Sequence, residues 1–544
     1  MRAALACVAA CYLGIAALLP SRVFWSPDEG GRYLQMIGWT LDNGLTYRLP
    51  YGGAARDPDY RFYPATPLCP RPLPGGAVRF AWPVWFSLLT APFYRVLGCA
   101  GLYVVPLAAG VLTARLAGTL AERARPRAGT AAFLVAAMAT PLLVYSQLYW
   151  EHTLQACLCL AAILCAVRAR RRSAGRVLFA AACMVLLAAA VALRAETLVL
   201  AAALVAALAG TPSRDRRNDR SRRAPRALLA VLAVVALAAV LVWLTPLLNQ
   251  TDAAGWTPFR NRDFGRMLSG ALARLVDPSA WMYLPTHLLH VLVASPAKAE
   301  NAGAWVPARS GVPLSPGWSL CAFNGLALCF LCHLLPRRAR FGAWCSGAVL
   351  LGLAAAAALL SPVRYRTVHG LFLATPVLAL AALPARAPSR SAEAGLLRRL
   401  AWSYLAAYVL TTLFLRPPAR GLEWGPRYAL PLVPLLTAIG AAAVQRFLSR
   451  AAPRERVLTV AVASFLLVLS CGFTLRGLNE VRLTKRELRR LDERIRTARR
   501  PVVVENRWLP CLLAVSFAEH EVYVVEDNQA RPAWMTPEAG IHVR

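Results

Sequence analysis

Apolar runs of roughly 15–25 residues recur along this chain, beginning with Ala3–Leu19, and no other feature restricts the fold as much. A run of that length matches the hydrocarbon thickness of a bilayer, where each backbone amide and carbonyl must be paired within the structure. The runs are rich in Ala, Leu and Val, and several are apolar on every face, as helices buried in lipid or in a bundle are. With 58% hydrophobic residues over 544 positions and a mean hydropathy of +0.47, the chain does not read as a string of soluble amphipathic domains. The expected fold class is a polytopic α-helical membrane protein.

The formal net charge of +34 would suit a nucleic-acid partner, but its distribution does not. The arginines cluster in short loops between apolar runs (Arg123–Arg127, Arg168–Arg172, Arg214–Arg226, Arg337–Arg340, Arg386–Arg399, Arg446–Arg456) rather than on one soluble face. That is the positive-inside pattern, and no nucleic-acid partner is expected. Most of the 14 cysteines sit inside apolar runs, where Cys behaves as a small hydrophobe, and no paired CxxC spacing for zinc occurs. Cys69, Cys99 and Cys511 fall in segments assigned to the outer side, where a disulfide among them could form.

Sidedness tests the assignment. Met1-Arg2 places the N-terminus inside, and Ala3–Pro20 reads as a retained first helix, since no small-residue cleavage site follows. Residues 21–100 form a long outer segment whose prolines forbid one helix. Within it Phe80–Leu97 is aromatic and carries Arg95. If it crossed, the basic loop Arg115–Arg127 would lie outside, so it reads as an interfacial helix. Further spans follow at 101–120, 130–147, 153–168, 176–192, 197–210, 227–248, 317–335, 342–360, 370–383, 400–415, 429–446 and 457–474, about 13 in all. Every short arginine-rich loop then lies on the inner side. The second long outer segment is 249–315. The membrane portion is 1–475, and 476–544 reads as a small extracytoplasmic α/β tail: a charged helix over 480–500, then Val502–Val504, a helix over 509–518, and Val522–Val525.

The outer segments gather Asp28, Glu29, Glu151, His152, Arg194, Glu196, Arg364, Tyr365, Arg366, His369, Glu423, Arg427 and Tyr428. Ionisable residues at membrane depth are costly and mark function. Ser26-Pro27-Asp28-Glu29 also reads as a helix start, with Ser26 or Asp28 capping and Pro27 in the first turn. A carboxylate there beside a cleft would be a good general base. Glu151-His152 occupies a tight turn after Tyr149-Trp150, suited to acceptor binding or proton transfer. Arg194 and Glu196 read either as a local ion pair or as an arginine reaching a phosphate. Gly425-Pro426-Arg427-Tyr428 opens a helix whose amide groups and guanidinium would favour an anion. His287 and His290, at i, i+3, are too little for a metal site, and no cofactor is expected.

These motifs in this order resemble the GT-C superfamily of membrane glycosyltransferases, of the protein O-mannosyltransferase and lipid A aminoarabinose transferase type. The resemblance covers the whole membrane portion. It is carried by Pro27-Asp28-Glu29…Arg32-Tyr33 after the first helix, the long first outer loop, Glu151, Arg194-Ala195-Glu196, and Trp424-Gly425-Pro426-Arg427-Tyr428…Leu430-Pro431. It implies inverting hexosyl or pentosyl transfer from a polyprenyl-phosphate carrier to an envelope glycan, lipid or protein on the outer face of the inner or plasma membrane. Asp28, with Glu29 and Glu151, would supply the catalytic carboxylates. Arg427, Tyr428, Arg194, Arg364 and Arg366 would bind the donor phosphate, and Arg32, Tyr33, His152, Glu196 and Glu423 would line the acceptor side. Relatives often carry Asp where Glu151 stands.

Two other readings remain. A polysaccharide polymerase or ligase would place its key residues in later loops. A transporter would show Gly/Pro-broken helices in paired halves with charges at the midplane. Here charges sit at helix ends and no internal repeat is visible.

Overall fold

Most of the apolar runs fold as helices in the computed structural model, which describes residues 2–40, 51–59, 61–63, 71–72, 78–79, 83–170, 175–194, 196–209, 288–293, 314–365, 367–368, 370–384, 391–414, 427–498, 500–505, 509–525 and 541–543. In chain order the helices are α1 (Arg2–Leu18), α2 (Pro27–Thr40), α3 (Trp85–Leu97), α4 (Val104–Ala124), α5 (Gly129–Met138), α6 (Pro141–Ser146), α7 (His152–Ala169), α8 (Arg176–Leu193), α9 (Thr197–Ala209), α10 (Pro316–Leu331), α11 (Arg337–Leu359), α12 (Leu371–Ala374), α13 (Ala392–Phe414), α14 (Leu432–Leu448), α15 (Pro453–Arg496), α16 (Leu509–Leu512) and α17 (Ala514–Glu519). The strands are β1 (Arg71–Pro72), β2 (Val78–Arg79), β3 (Val502–Val504), β4 (Val522–Val524) and β5 (Ile541–Val543).

Among the described residues six helices are long and apolar enough to cross a membrane: Trp85–Ala124, His152–Ala169, Arg176–Leu193, Pro316–Leu334, Arg337–Leu359 and Pro453–Arg496. The expected thirteen spans therefore do not all appear as unbroken helices, and prolines explain two of the differences. The span expected at 130–147 breaks at Thr140, because Pro141 has no N–H and its ring blocks the preceding turn. Thr140 bridges the break, its hydroxyl donating to the Ala136 carbonyl at 2.7 Å and accepting from the Leu142 N–H at 3.2 Å. The span expected at 370–383 is α12 followed by a 3-10 turn, Pro376–Ala382. Pro376 forces Thr375 out of the helical region, to φ −145° and ψ 70°. Neighbouring side chains take up freed backbone groups: Ser470 Oγ accepts from Val377 N at 2.9 Å, and Trp344 Nε1 donates to the Ala379 carbonyl at 3.2 Å. Irregular backbone is tolerated at this depth only when protein groups pair it. The span expected at 227–248, and nearly all of 249–315, lie outside the described residues.

The segment read as interfacial is α3 over its described part. It lies along α2, with Ser87 Oγ donating to Gln35 Oε1 at 3.0 Å and Tyr33 stacked edge-on to Tyr94. The helix stops at Gly98, whose φ of 57° suits a residue without a side chain, and the chain folds back before α4.

The largest departure from expectation is α15. The span placed at 457–474 and the charged helix placed at 480–500 are one 44-residue helix. At 1.5 Å per residue it is about 66 Å long, roughly twice the hydrocarbon core. Its buried stripe runs on without interruption from Leu466, Ser470 and Phe473 through Gly477, Val481, Leu488 and Ile495, so the boundary drawn at 475 falls inside a helix. Beyond it β3 pairs in parallel with β4 (Val502 opposite Val522) and with β5 (Val502 opposite Ile541), giving the order β4-β3-β5, with α16 and α17 connecting β3 to β4.

This tail packs on the start of α2. Phe24 N donates to the Leu512 carbonyl at 2.9 Å, and Val524 N donates to the Phe62 carbonyl at 2.9 Å. Arg22 reaches Glu519 at 2.5 Å and Asp492 at 3.8 Å. Cys511 is disulfide-bonded to a partner outside the described residues. The closest approach is at Gly30, where a Cβ would lie 1.6 Å from the Cys511 carbonyl oxygen. Backbone meets backbone there, so Gly30→Ala should force α2 and α16 apart at a cost of about 2 kcal/mol or more. Thermal unfolding with limited proteolysis of the tail checks this: a variant with unchanged melting and an equally protected tail would show that the contact is dispensable.

Candidate active site

The start of α2 is a capping box. Ser26 is the N-cap and Glu29 stands three residues on, as in the S-x-x-E pattern. Glu29 Oε2 accepts from Ser26 N at 2.9 Å and from Trp25 N at 2.8 Å, while Glu29 N faces Ser26 Oγ at 3.4 Å. Glu29 Oε1 accepts from Tyr149 N at 2.8 Å, in the turn before α7. The carboxylate is fully buried and its oxygens are engaged by three backbone donors, so the structure places Glu29 as a brace between the start of α2 and the turn before α7. Burial pushes its pKa up, against the opposing pull of Lys485 and the three N–H donors.

With Glu29 fixed, Asp28 turns the other way. Its Oδ2 lies 3.0 Å from Arg427 Nη1, across 399 positions of sequence. The Arg427 guanidinium also donates to Tyr428 OH at 2.8 Å and lies 5.5 Å from the Trp150 ring. Arg427 opens the 3-10 turn Arg427–Ala429 that leads into α14.

Glu151 is the second meeting point. Its Oε1 accepts from Arg32 Nη2 and from Arg194 Nη1, the latter at 2.7 Å. Arg194 also grips Glu196 through Nε at 3.2 Å and Nη2 at 2.9 Å. Burial alone would lower the Arg194 pKa; Glu196 and Glu151 overcome this and hold it above its ordinary value. Glu151 is 2% exposed and its Oε2 has no hydrogen-bond partner among the described residues. His152, equally buried, packs against Tyr145, Trp150 and Tyr428, and its Nδ1 is likewise without a partner among them. Tyr428 lies within cation–π range of both Arg194 and Arg427, at 5.1 and 4.8 Å.

The structure thus gathers Asp28, Arg32, Glu151, His152, Arg194, Glu196, Arg427 and Tyr428. It places Arg364 elsewhere: the guanidinium binds Glu480 through two nitrogens at 2.9 and 3.0 Å, and Glu487 at 3.0 Å. That pairing clasps the end of α11 to α15. Tyr33 points into the aromatic wall, its OH 3.2 Å from Tyr94 OH. Arg366, His369, Glu423 and His287, and the side chain of His290, lie outside the described residues. Among those described, no three His, Cys, Asp or Glu side chains come together as a metal site.

Sequence reasoning missed Lys485. It is fully buried beneath α2, donates to Tyr103 OH at 2.8 Å, and interacts electrostatically with Glu29. The signal was present: Lys485 falls on the helical stripe of Val481, Leu488 and Ile495. Burial lowers its pKa to about 8, with Glu29 opposing the shift. Trp25 and Trp150 belong to the cluster as well: their rings meet at 5.8 Å, and the Arg427 guanidinium lies 5.5 Å from the Trp150 ring.

Two expectations follow from these placements. Glu151→Ala leaves two buried guanidiniums without their shared carboxylate and should destabilise the protein by about 3 kcal/mol. Unfolding midpoints equal to the wild type would remove Glu151 from a holding role. Lys485 sheds its proton near pH 8 when folded and near about 10.4 when unfolded, so between those values the unfolded chain binds more protons and stability rises with pH. Melting curves of wild type and Lys485→Met through that window should show the rise in the first and its loss in the second.

Neither a protein-family model nor a curated protein matches the sequence. Three solved structures are similar in overall shape. ArnT from Cupriavidus metallidurans in the apo state is 14% identical, over 99% of this chain and 88% of that one, with a TM-score of 0.47. The same protein bound to undecaprenyl phosphate is 14% identical over 99% and 89%, with a TM-score of 0.49. The Archaeoglobus fulgidus oligosaccharyltransferase in the apo form is 12% identical over 96% of this chain and 64% of that one, with a TM-score of 0.43. With all three scores under 0.5, these likenesses establish no correspondence between residues.

Proposed function

We propose that this protein is a membrane glycosyltransferase of the GT-C kind, moving a sugar from a polyprenyl-phosphate donor to an envelope glycan, lipid or protein. One observation carries the reading: adjacent carboxylates at the start of α2 divide into a locked brace, Glu29, and a partly exposed group, Asp28, held against Arg427. A carboxylate beside a guanidinium at outer helix ends suits the two demands of the reaction. Asp28 takes the proton of the acceptor hydroxyl as its oxygen forms the new bond to the anomeric carbon. The bond from that carbon to the phosphate oxygen breaks on the opposite face, which inverts the configuration. The electron pair leaves with the lipid phosphate, and Arg427 meets the charge that develops there. Arg194 and Tyr428 complete the donor side. Glu151 serves by positioning Arg32 and Arg194 rather than as a second base. The enzyme is placed in the inner or plasma membrane with its N-terminus cytoplasmic and the site and tail outside, which fits a disulfide at Cys511.

A transporter would need broken helices with charges among them. Breaks do occur, at Pro141 and Pro376, but the side chains that pair backbone there are Thr140, Trp344 and Ser470, all uncharged. The ionisable groups gather at helix ends instead.

Asp28→Asn should fold and insert, yet lose transfer of labelled sugar from the lipid donor by a factor of about 10² to 10⁴. Arg427→Ala should chiefly raise the donor concentration needed. Full activity in Asp28→Asn would end the assignment of the base, and an unchanged donor dependence would remove Arg427 from the site.

A further inference from the structure

We propose that Asp28 is the resident counter-ion of Arg427 and that the donor's phosphate displaces it, so the donor binds before Asp28 can serve an acceptor. The inference rests on the function proposed above and concerns the order in which that site fills.

Arg427 is 8% exposed, and a guanidinium so enclosed is costly without a counter-charge. Asp28 supplies one at 3.0 Å. The groups come from the two ends of the membrane portion, so no local turn dictates their pairing. Among the described residues Asp28, Glu151 and Glu196 face Arg32, Arg194 and Arg427. A phosphate arriving at Arg427 meets Asp28 already in place there.

Only one of these carboxylates can yield cheaply at Arg427. Glu151, at 2% exposure, holds two guanidiniums and has no water to turn into. The Asp28 side chain is 21% exposed and can rotate into solvent. The backbone need not follow, because Glu29 is tied to Trp25, Ser26 and Tyr149. The exchange replaces one anion by another against the same guanidinium, and a phosphate can engage an arginine through two parallel hydrogen bonds. Asp28 is thereby released beside the bound donor, at the step where a base is needed. Without donor it stays engaged, and an acceptor or water molecule meets no free carboxylate. When the lipid phosphate departs, Asp28 passes its acquired proton to solvent and pairs with Arg427 again.

The test is equilibrium binding of undecaprenyl phosphate, carrying no sugar, to the full-length protein in nanodiscs. Wild type, Asp28→Asn and Asp28→Ala are compared, each also in an Arg427→Ala background, with melting curves as a check on folding. Removing the competing carboxylate should tighten binding about tenfold in Asp28→Ala, and by less in Asp28→Asn, whose amide still hydrogen-bonds. In the Arg427→Ala background the Asp28 substitutions should change nothing. Unchanged or weaker binding in folded Asp28→Ala, with wild type binding normally, overturns the exchange and leaves the donor site standing. Failure of wild type to bind the lipid phosphate overturns the donor assignment itself, and the exchange with it.

Discussion

Three backbone N–H groups converging on one buried carboxylate hold together the end of this protein where α2 and α7 begin. Glu29 ties the residues before α2 to the turn before α7. Each such bond to a charged acceptor is worth more than a neutral one, and losing the acceptor would strand buried donors. Two segments separated by 120 positions are thereby set edge to edge. The bond between Glu29 and Tyr149 sets the start of α2, which carries Asp28, beside the turn that carries Glu151. The tail presses on the same element from outside, at Gly30. Lys485 is buried there too, donating to Tyr103 OH and interacting electrostatically with Glu29. Glu29 is fully enclosed there, while the Asp28 side chain is 21% exposed.

Much of this was legible in the sequence because its causes are local. Helix extents at α7, α8 and α9 match the expected 153–168, 176–192 and 197–210 within a residue or so, since uninterrupted apolar runs leave a lipid-facing backbone no other way to pair its polar groups. The capping box was also readable in Ser26-Pro27-Asp28-Glu29. Its consequence was not, because which of Asp28 and Glu29 becomes the buried brace depends on Tyr149, far away in sequence. The breaks at Pro141 and Pro376 were written in the residues but outweighed by hydropathy. A hydropathy run counts apolar side chains and is blind to a missing amide. The reach of α15 was hidden for the opposite reason. Composition changes abruptly near Leu475, but the buried stripe keeps its period, and a helix follows the period.

Arg364 shows where proximity to the expected site misleads. A guanidinium has the right chemistry for a phosphate, and the sequence alone groups Arg364 with the expected donor-binding residues. Its guanidinium is instead taken by Glu480 and Glu487 on α15, and neither acid carries any sign of its role in the local sequence. The difference between Arg364 and Arg427 lies in what surrounds the partner. Arg364 is gripped by two nitrogens on one carboxylate and a third on another. Arg427 meets Asp28 through one nitrogen, against a carboxylate that can turn to water.

That contrast separates charges that hold from charges that work. At the ends of a helical bundle, burying a guanidinium demands a counter-ion, and a folded chain has only its own carboxylates to offer until a ligand arrives. A counter-ion tied by several bonds, as Glu151 is by Arg32 and Arg194, gives stability and stays. One tied by a single bond at the edge of the enclosed region satisfies the guanidinium at rest yet can be exchanged at little cost. Asp28 has that second character, and it has it because Glu29, one residue on, carries the structural load. The pair Asp28-Glu29 is thus one device in two parts: a fixed acid that orients the helix, and a movable acid whose freedom depends on the first.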